Sequence, residues 1–467
     1  MIRYIAKRHV SIKTLYDSVP KDGQKLDVVN GWVRSVRLMK KVAFIDLYDG
    51  SSNKDVKIVI KNPQESSLAR HLKTGQCISV DSPMLKITQG SRLQPFELLV
   101  EDSVKDLKLL GDVETNYPLQ KKSHSLEFLR TLPTLKHRSL FYGSILRFRS
   151  HMEEYAINFF NKQENFLKVS PPIFTTNDCE GAGEQFEVKS SVLENKKAFL
   201  TVSTQLHLEI LSMAIANCWT LSPCFRAEKS ATPRHLMEFW MLEAEMSFID
   251  NLDQLLDFTR NFLQSMVTQC YENREDLLPD NISTLIDKEK ILERWQMLRN
   301  SENWKRITYT DAIQILKEKH SQEPFPRYEP KWGEALQTEH EKWLAEKYFQ
   351  SPVFVTDYPM DCKAFYMKSN EDGKTVACFD LLVPEMGEII GGSMREDNYE
   401  SLQYQIKKRG MNKTGELDWY VNLRKQGVAP HGGFGLGFER FISYLLGIQN
   451  IKDAIPFPRS ASSSIDL

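Results

Sequence analysis

The sequence predicts an α+β protein with a small β-barrel near its N-terminus and a larger domain in which helices flank a sheet. Three observations predict this fold class. Short segments of alternating apolar and polar residues, separated by Gly, Asn, Asp and Ser, fill residues 27–102. From about residue 140 the apolar spacing becomes helical. Beyond residue 172, strands and helices alternate without a regular βαβ rhythm, which favours a mixed or antiparallel sheet.

Composition excludes several classes of protein. The 467 residues are 41% hydrophobic and 26% charged, which is typical of a globular chain and excludes a disordered or collagen-like one. Runs of about 18 apolar residues are absent, so we expect no membrane partner. The seven cysteines never form C-x-x-C, which disfavours a disulfide framework and a structural zinc site.

Charge is unevenly distributed along the chain, although the net charge is only −1. Residues 1–110 carry 19 Lys and Arg against 12 Asp and Glu, a net charge of +7, which leaves −8 for the remainder. A basic N-terminal part on an acidic body indicates that a polyanion would be bound mainly by the first part. An ordinary solvated surface is the alternative interpretation.

Residues 1–20 are a candidate mitochondrial targeting segment. Basic residues among apolar ones, with no acidic residue before Asp17, are typical of import signals; they are Arg3, Lys7, Arg8, His9 and Lys13. The alternative is a short basic helix packed on the first domain.

The barrel domain is expected over residues 21–110. Its predicted strands are DVVNGWVRSVR, VAFIDLYDG, DVKIVI, CISVDSPMLKI and FELLVED. Residues 111–139 have mixed polar character and are predicted to form a hinge. The larger domain then occupies residues 140–467.

A long amphipathic helix, SILRFRSHMEEYAINFFNKQ, is predicted to open the larger domain. Its apolar residues recur at helical spacing, at Ile145, Phe148, Met152, Tyr155 and Phe159. A strand ending at Pro171-Pro172 is expected next. About residues 270–350, a charged helical stretch containing KEKILERWQMLRN is interpreted as an insertion between sheet elements.

The first candidate site is the pattern F-R-x-E at residues 225–228, followed by a basic loop and a returning strand. Arg226 can bridge a carboxylate and a phosphate through paired hydrogen bonds, and Phe239 offers an aromatic face to a base. This combination suits a triphosphate. Alone, it also fits a surface hairpin with an ion pair.

Two further patterns carry candidate ligands. Gly433, Gly435 and Gly437 precede an apolar helix that begins with Glu439-Arg440, where backbone and helix N-terminus favour an anion. No βαβ unit surrounds these glycines, so a dinucleotide-dependent oxidoreductase is disfavoured. Carboxylates in residues 380–396 flank an apolar strand and suit Mg²⁺, although acidic residues at strand ends are an equally good interpretation.

Three of these patterns, in this order along the chain, resemble the three motifs of class II aminoacyl-tRNA synthetases. The helix and strand ending at Pro172 resemble motif 1, F-R-x-E resembles motif 2, and G-x-G-x-G-x-E-R resembles motif 3. With a barrel reading GWVRSVR and FIDLYDG, the chain resembles the subgroup of aspartyl, asparaginyl and lysyl enzymes. Several stretches resemble the asparaginyl family of bacterial and mitochondrial type, among them NDCEGAGEQFEV, CFRAEKSATPRHLMEFWMLEAEMSF, GEIIGGSMRE and PHGGFGLGFERF. The resemblance implies an N-terminal OB-fold barrel that reads the anticodon, then a class II catalytic domain built on an antiparallel sheet flanked by helices.

The resemblance also implies the reaction. L-Asparagine attacks the α-phosphate of ATP, releasing pyrophosphate, and the adenylate is captured by tRNA(Asn). The implied ATP-binding residues are Arg226, Glu228, His235, Phe239, Glu388, Gly437 and Arg440, with Arg226 and Arg440 catalytic. Asp380 and Glu388 are the implied Mg²⁺ ligands.

Asparagine specificity is implied by a second group of residues: Glu180, Ser203, Gln205, Glu243 and Arg395. Aspartyl enzymes carry a lysine where this chain has Leu208. A carboxylate at Glu243 would accept hydrogen bonds from the substrate's side-chain NH₂ and repel aspartate. The alternative is that Glu243 only braces motif 2.

Further expectations follow from the resemblance. Arg34, Arg37 and Phe44 would bind the anticodon, although an aromatic residue on a barrel strand is as often part of the core. Motif 1 implies a homodimer, for which the apolar stripe of residues 140–160 is available. The expected location is the mitochondrial matrix, with the cytoplasm as alternative.

Some positions depart from the family pattern, and other functions remain open. Pro233 in the motif 2 loop replaces a frequent basic residue, Asp361-Cys362 replace a usual charged run, and the tail diverges after Arg459. The open alternatives are an aspartyl or non-discriminating synthetase and a catalytically silent RNA-binding paralogue.

Overall fold

The computed structural model describes residues 8–18, 21–88, 94–176, 185–193, 197–227, 232–278, 286–412 and 415–461. The chain divides into two units, Met1–Ile145 with Leu278–Ile282, and Leu146–Leu277 with Ser283–Leu467. Each unit is built on a large sheet. Within the described ranges, no helix is long and apolar enough to cross a membrane.

The first unit contains a seven-stranded sheet. Its strands are β1 Val28–Leu38, β2 Val42–Tyr48, β3 Val56–Lys61, β4 Cys77–Asp81, β5 Met84–Ile87, β6 Phe96–Val100 and β7 Leu107–Gly111. Their order is β5-β6-β3-β2-β1-β4-β7, with β1 to β3 forming an antiparallel meander and β3 parallel to β6. Alternate residues of β2 are buried, namely Ala43, Ile45 and Leu47, as the sequence pattern predicts.

Two strand predictions in this unit needed correction. The segment CISVDSPMLKI forms two strands rather than one, because Ser82 has a φ of 50° and Pro83 follows it, which turns the chain. Strand β7 was not predicted. Buried and exposed residues do not alternate along β7, so its sequence lacks a strand pattern. The segment is a strand because it pairs antiparallel with β4.

Short helices complete the first unit: α1 Ile12–Asp17, α2 Ser67–Arg70 and α3 Leu126–Arg130. Ser11 caps α1 by accepting a hydrogen bond from the Thr14 backbone N–H. Ile12 and Leu15 are buried in the core that the barrel strands form. Residues 12–17, within the candidate targeting segment, therefore belong to the folded unit.

The second unit contains an eight-stranded mixed sheet. Its strands are β8 Leu167–Lys168, β12 Asn217–Phe225, β13 Glu238–Ser247, β14 Lys305–Thr308, β15 Val353–Thr356, β16 Cys378–Val383, β17 Gly387–Met394 and β18 His431–Gly437. The order is β14-β15-β16-β17-β18-β13-β12-β8. The six central strands are antiparallel, and β14 and β8 pair parallel at the two edges. A smaller sheet has the order β10-β11-β9, from β9 Phe174–Thr175, β10 Glu187–Val188 and β11 Ala198–Leu200.

Ten helices are described from residue 140 onward: α4 Leu140–Ile157, α5 Gln205–Ile215, α6 Leu252–Glu272, α7 Arg274–Leu277, α8 Lys288–Arg299, α9 Tyr309–Gln322, α10 Thr338–Trp343, α11 Tyr399–Lys408, α12 Asp418–Leu423 and α13 Phe438–Leu446. The predicted opening helix is confirmed as α4, which continues as a π-helix over Asn158–Gln163. Residues 270–350 are largely helical but also contain edge strand β14, so this region is part of the sheet and not only an insertion.

The apolar stripe of α4 is buried inside the chain, which corrects its predicted role in a dimer. Ile145, Phe148, Met152, Tyr155 and Phe159 are all at most 6% exposed. Phe148 stacks on Trp295 and Phe159 packs against Phe262, because the stripe faces the helices of its own subunit. Apolar side chains that are exposed in this region lie elsewhere, at Leu146, Ile157, Leu167, Ile173 and Phe174.

Candidate active site

The predicted F-R-x-E hairpin forms between β12 and β13, which pair in register from Asn217↔Met246 to Phe225↔Glu238. Arg226 follows the end of β12, and its backbone N–H donates to the Met237 carbonyl at 3.0 Å. Its guanidinium lies 5.4 Å from the centre of the Phe239 ring. Both predicted side chains therefore meet at the mouth of the hairpin. Glu228 lies outside the described residues.

The glycines of the G-x-G-x-G-x-E-R pattern lie in strand β18, directly before helix α13 as the sequence predicts, and Gly435 and Gly437 line a cleft. Gly433 and Gly435 belong to β18, and α13 begins only after Gly437. A Cβ on Gly433 would lie 2.1 Å from Glu245 Oε2 and 2.2 Å from the Ala244 carbonyl. Glycine is therefore required here because neighbouring strand β13 approaches too closely for any side chain.

Arg440, on the first turn of α13, donates from Nη1 to the Glu388 carbonyl at 3.1 Å. Its neighbour Glu439 is 1% exposed and accepts hydrogen bonds from Arg149 Nη1 at 2.6 Å and from the Trp240 backbone N–H at 2.9 Å. Glu439 on α13 thus links this helix to α4 and β13 by hydrogen bonds, and so fixes the backbone position of the neighbouring Arg440.

An open cleft of about 740 Å³ lies between these elements. Six of the seven predicted ATP-binding residues line it: Arg226, His235, Phe239, Glu388, Gly437 and Arg440. The seventh is Glu228, outside the described residues. The predicted residues alone bring together two arginines, an aromatic ring and a carboxylate, which suits a nucleotide with its phosphates and a cation.

A second recess of about 720 Å³ is lined by Arg226, Met241, Glu388 and Gly435, all four of which also line the nucleotide cleft. Four predicted amino-acid-binding residues line this recess: Ser203, Gln205, Glu243 and Arg395. Leu208, the position of the aspartyl lysine, contributes an apolar surface. Glu180 lies outside the described residues. The two recesses adjoin at these shared residues, so the Arg226 side chain faces both of them.

Glu243 is 4% exposed, and both of its carboxylate oxygens accept hydrogen bonds from the protein. Ser203 Oγ donates to Oε1, and Thr204 Oγ1 donates to Oε2. The Thr204 backbone N–H lies 3.0 Å from Oε2 and 3.2 Å from Oε1. The carboxylate is therefore fixed in the wall of the recess by the residues that precede α5.

Arg395 is held by a partner that sequence reasoning missed. Its Nε and Nη2 donate to the two oxygens of Glu245 at 3.0 and 2.8 Å, and Nη1 donates to Ser393 Oγ at 2.7 Å. Burial raises the pKa of Glu245, and Arg395 opposes that shift. Since a guanidinium has five N–H donors, this pairing leaves two for a ligand.

A buried network around Glu209, also missed, lies behind Gln205. Glu209 accepts hydrogen bonds from Gln205 Nε2 at 3.1 Å, Tyr420 Oη at 2.8 Å and Arg424 Nη2 at 3.0 Å, and His431 Nε2 lies 3.1 Å away. Burial favours the neutral form, but His431 and Arg424 outweigh it and hold the pKa of Glu209 well below its usual value. The network fixes Gln205 from behind.

Asp380 and Glu388 lie on adjacent strands and converge on Gly391, whose added Cβ would be 3.5 Å from Asp380 Oδ1 and 3.1 Å from Glu388 Oε1. Lys363 Nζ contacts both oxygens of Asp380 at 2.7 and 2.6 Å, a partner that the sequence did not predict. Burial, and then the nearby Asp380, raises the pKa of Glu388. This donor set fits Mg²⁺, which needs only one or two carboxylates when phosphates supply the other ligands.

Candidate anticodon residues lie in the first unit. Phe44 is half-buried, on the face of β2 opposite to the buried Ala43 and Ile45, and it is paired with the exposed Arg37 of β1. Arg34 lies at a bulge in β1, pairs with Asp55 at 2.8 Å and covers the Tyr48 ring at 4.1 Å. Phe44 is therefore outside the barrel core, which removes the alternative interpretation of this residue.

Comparison with known proteins identifies both parts of the chain. Residues 125–461 match the family model of class II tRNA synthetases (D, K and N), and residues 28–102 match an OB-fold nucleic acid binding domain. The chain is 52% identical to the mitochondrial asparagine–tRNA ligase of Saccharomyces cerevisiae, over 98% of this chain and 96% of that protein. It is 42% identical to the asparagine–tRNA ligase of Clostridium tetani, over 98% and 99% of the two chains.

The solved structure of asparaginyl-tRNA synthetase from Pyrococcus horikoshii, complexed with asparaginyl-adenylate, has a similar fold. It superposes with a TM-score of 0.84 at 30% sequence identity, over 98% of this chain and 99% of that chain. These matches confirm the predicted α+β fold class, with an N-terminal OB-fold followed by a class II synthetase domain. The chain therefore belongs to the asparaginyl-tRNA synthetase family of class II aminoacyl-tRNA synthetases.

Proposed function

We propose that this chain activates L-asparagine with ATP and transfers it to tRNA(Asn), using the two adjoining recesses of the second unit. An oxygen of the asparagine α-carboxylate attacks the α-phosphorus, the bond from that phosphorus to the bridging oxygen breaks, and pyrophosphate leaves. The observation that carries the proposal is that Arg226 and Glu388 line both recesses. No protein nucleophile is needed, because positioning and charge stabilisation supply the catalysis.

Arg226 is assigned to the substrate carboxylate and the α-phosphate, where its paired donors stabilise the charge that develops as the new bond forms. The adenine lies between Phe239 and Arg440, and Arg440 also reaches the outer phosphates. His235 and Glu228 contact the phosphates and the adenine edge, and Gly437 lets the nucleotide approach the backbone.

Mg²⁺ is assigned to Asp380 and Glu388. The ion would neutralise phosphate charge when it is bound. The Lys363 ammonium at Asp380 holds that carboxylate in place, and the charges of Arg440 and Arg226 oppose the rise in the pKa of Glu388 that burial and Asp380 cause.

Selection of asparagine is assigned to the walls of the second recess. Glu180 and Gln205 hold the α-ammonium and backbone of the substrate, with Ser203 beside them. Arg395 donates to the side-chain oxygen, and Glu243 accepts from the side-chain NH₂. A carboxylate at Glu243 and an apolar residue at Leu208 both disfavour aspartate, because its second oxygen would meet a like charge and no cation.

The anticodon is assigned to the first unit, with Phe44 stacking on a base and Arg34 and Arg37 contacting phosphates or base edges. We place the anticodon-binding domain at residues 21–110, a hinge at 111–139 and the catalytic domain at 140–467, including the helical region 270–350.

The protein is assigned to the mitochondrial matrix, since a yeast relative is mitochondrial. Burial of Ile12 and Leu15 then requires that an import signal within residues 1–20 ends before α1 or is retained.

A homodimer through motif 1 completes the proposal. Exposed apolar side chains follow α4 in sequence, with Leu167, Ile173 and Phe174 exposed by 41–59%. A second copy of the chain would cover them. Sedimentation at micromolar concentration is expected to give the dimer mass, and a monomer would contradict this assignment.

Asparagine-dependent exchange between ATP and pyrophosphate tests the activation step. The assay is run in parallel with asparagine, with aspartate and with neither. Exchange with asparagine alone is expected. Exchange with aspartate would show that the Glu243 and Leu208 argument is wrong, and exchange with neither, including in the presence of tRNA, would favour a silent RNA-binding paralogue.

A further inference from the structure

A basic recess opens beside the nucleotide cleft, and three of its charged residues, Arg294, Lys342 and Glu385, have no assigned role in adenylate formation. It measures about 560 Å³ and shares Arg234, Arg440 and Ile451 with that cleft. Its charged lining consists of four cationic side chains, Arg234, Arg294, Lys342 and Arg440, and one carboxylate, Glu385, among the residues that the structure describes. The lining therefore has an excess of positive charge.

The lining carboxylate is already paired. Glu385 lies 3.1 Å from Arg294 Nη2 and 2.9 Å from Lys290 Nζ. Burial opposes its ionisation, yet the two cations lower the pKa of Glu385 overall. Glu385 is therefore a poor counter-ion for the remaining cations of the recess.

Lys342 lies on α10 and forms no salt bridge within 4 Å to any described carboxylate. Burial, and then the charge of Arg234, lowers the pKa of Lys342, while Glu346 and Glu385 offset part of that shift. Burial and the charge of Arg440 likewise lower the pKa of Arg234. Three cations held near one another repel, and an anion between them would relieve that repulsion.

We propose that this recess binds the inorganic pyrophosphate released in the activation step, with Lys342 as a direct ligand. The inference rests on the proposed function, since pyrophosphate is its leaving group. Arg234 and Arg440 line both the cleft and the recess, so the leaving group can move from one to the other while it keeps both arginines. A lysine ammonium serves as a point charge that suits an anion with many oxygens.

Calorimetric titration with magnesium pyrophosphate tests the site directly on the full chain. The variants are K342M, which removes the charge at similar length, and K342R, which restores it. K347M is the matched control, because Lys347 follows α10 in sequence, is exposed, and pairs with Glu346 at 2.8 Å instead of lining the recess. We expect K342M to weaken pyrophosphate binding about tenfold or more, K342R to stay near wild type, and K347M to be unchanged.

Three results would overturn the inference: unchanged pyrophosphate binding by K342M, an equal loss in K347M, or a loss of tRNA affinity in K342M with pyrophosphate affinity retained. The last would assign the recess to nucleic-acid phosphates. Wild-type exchange with asparagine is measured alongside. If exchange is absent but pyrophosphate binding still depends on Lys342, the proposed function fails and the anion site stands.

Discussion

Glu243 is the residue on which amino-acid selection depends in this account. Its oxygens are oriented by Ser203 and Thr204, so a carboxylate is presented to the recess in one position. We predict that E243Q lowers kcat/KM for asparagine about tenfold to hundredfold in pyrophosphate exchange, because the new NH₂ opposes the substrate NH₂ and the Thr204 N–H.

The control for E243Q is its melting temperature. If Glu243 only braces motif 2, the variant will melt earlier while its preference for asparagine over aspartate stays unchanged. That pair of results would remove Glu243 from substrate recognition.

Glu209 makes the second residue-scale prediction. Its pKa in the folded chain is lowered from 4.5, so its contribution to stability is present above that value and is lost as pH falls below it. We expect E209Q to lose about 3–5 kcal/mol at pH 7, because Arg424 is left buried without its carboxylate. Urea unfolding of the wild type and E209Q at pH 7 and at pH 4 measures the free energy of unfolding of each. The difference between wild type and E209Q should shrink at pH 4, and an equal difference at both pH values would contradict the assignment.

Site residues could be predicted where they lie in a short sequence motif. Residues that hold a site residue in place were missed where the two are far apart in the sequence. Arg226 and Arg440 lie in recognisable motifs, and both line the cleft. Glu209 and Arg424 are 215 residues apart, and Glu245 and Arg395 are 150 apart. Nothing local in the sequence marks such pairs, since strand order alone brings them together.

At the scale of elements, β18 shows how a sheet forms the floor of a site. We predict that G433A destabilises the chain by about 1–3 kcal/mol, because its Cβ would meet Glu245 and the backbone of β13 at contact distances that cannot be relieved by a side-chain tip. G437A is the control, as its Cβ would lie 3.6 Å from the nearest atom, Arg440 Cβ. Thermal unfolding compares the two. Equal melting temperatures would show that β18 is not packed as described.

Elements with a clear apolar period were predictable, and those defined by pairing were not. The alternation in β2 and the helical spacing in α4 both appear in the sequence and both form. Strands β7 and β14 lack that alternation and exist through their neighbours β4 and β15. The packing role of Gly433 was not predictable for the same reason, since only the approach of β13 shows why a glycine is needed there.

For the whole molecule, we expect the two units to carry out separate steps, anticodon binding in the first and adenylate formation in the second. We predict that F44A raises the KM for tRNA(Asn) in aminoacylation about tenfold to hundredfold, because one base loses its stacking partner. Pyrophosphate exchange without tRNA should be unchanged, since Phe44 belongs to the first unit. A parallel loss of exchange would mean that the substitution disturbs the fold or that the steps are not separate.

The central claim is that this chain places asparagine, and not aspartate, on tRNA(Asn). The most direct test is to charge a tRNA(Asn) transcript with both amino acids present at equal concentration and to identify the esterified amino acid by mass spectrometry. We predict that asparagine alone is esterified. Aspartate on the tRNA would contradict it, and would show that the carboxylate of Glu243 and the apolar surface of Leu208 do not exclude the acid.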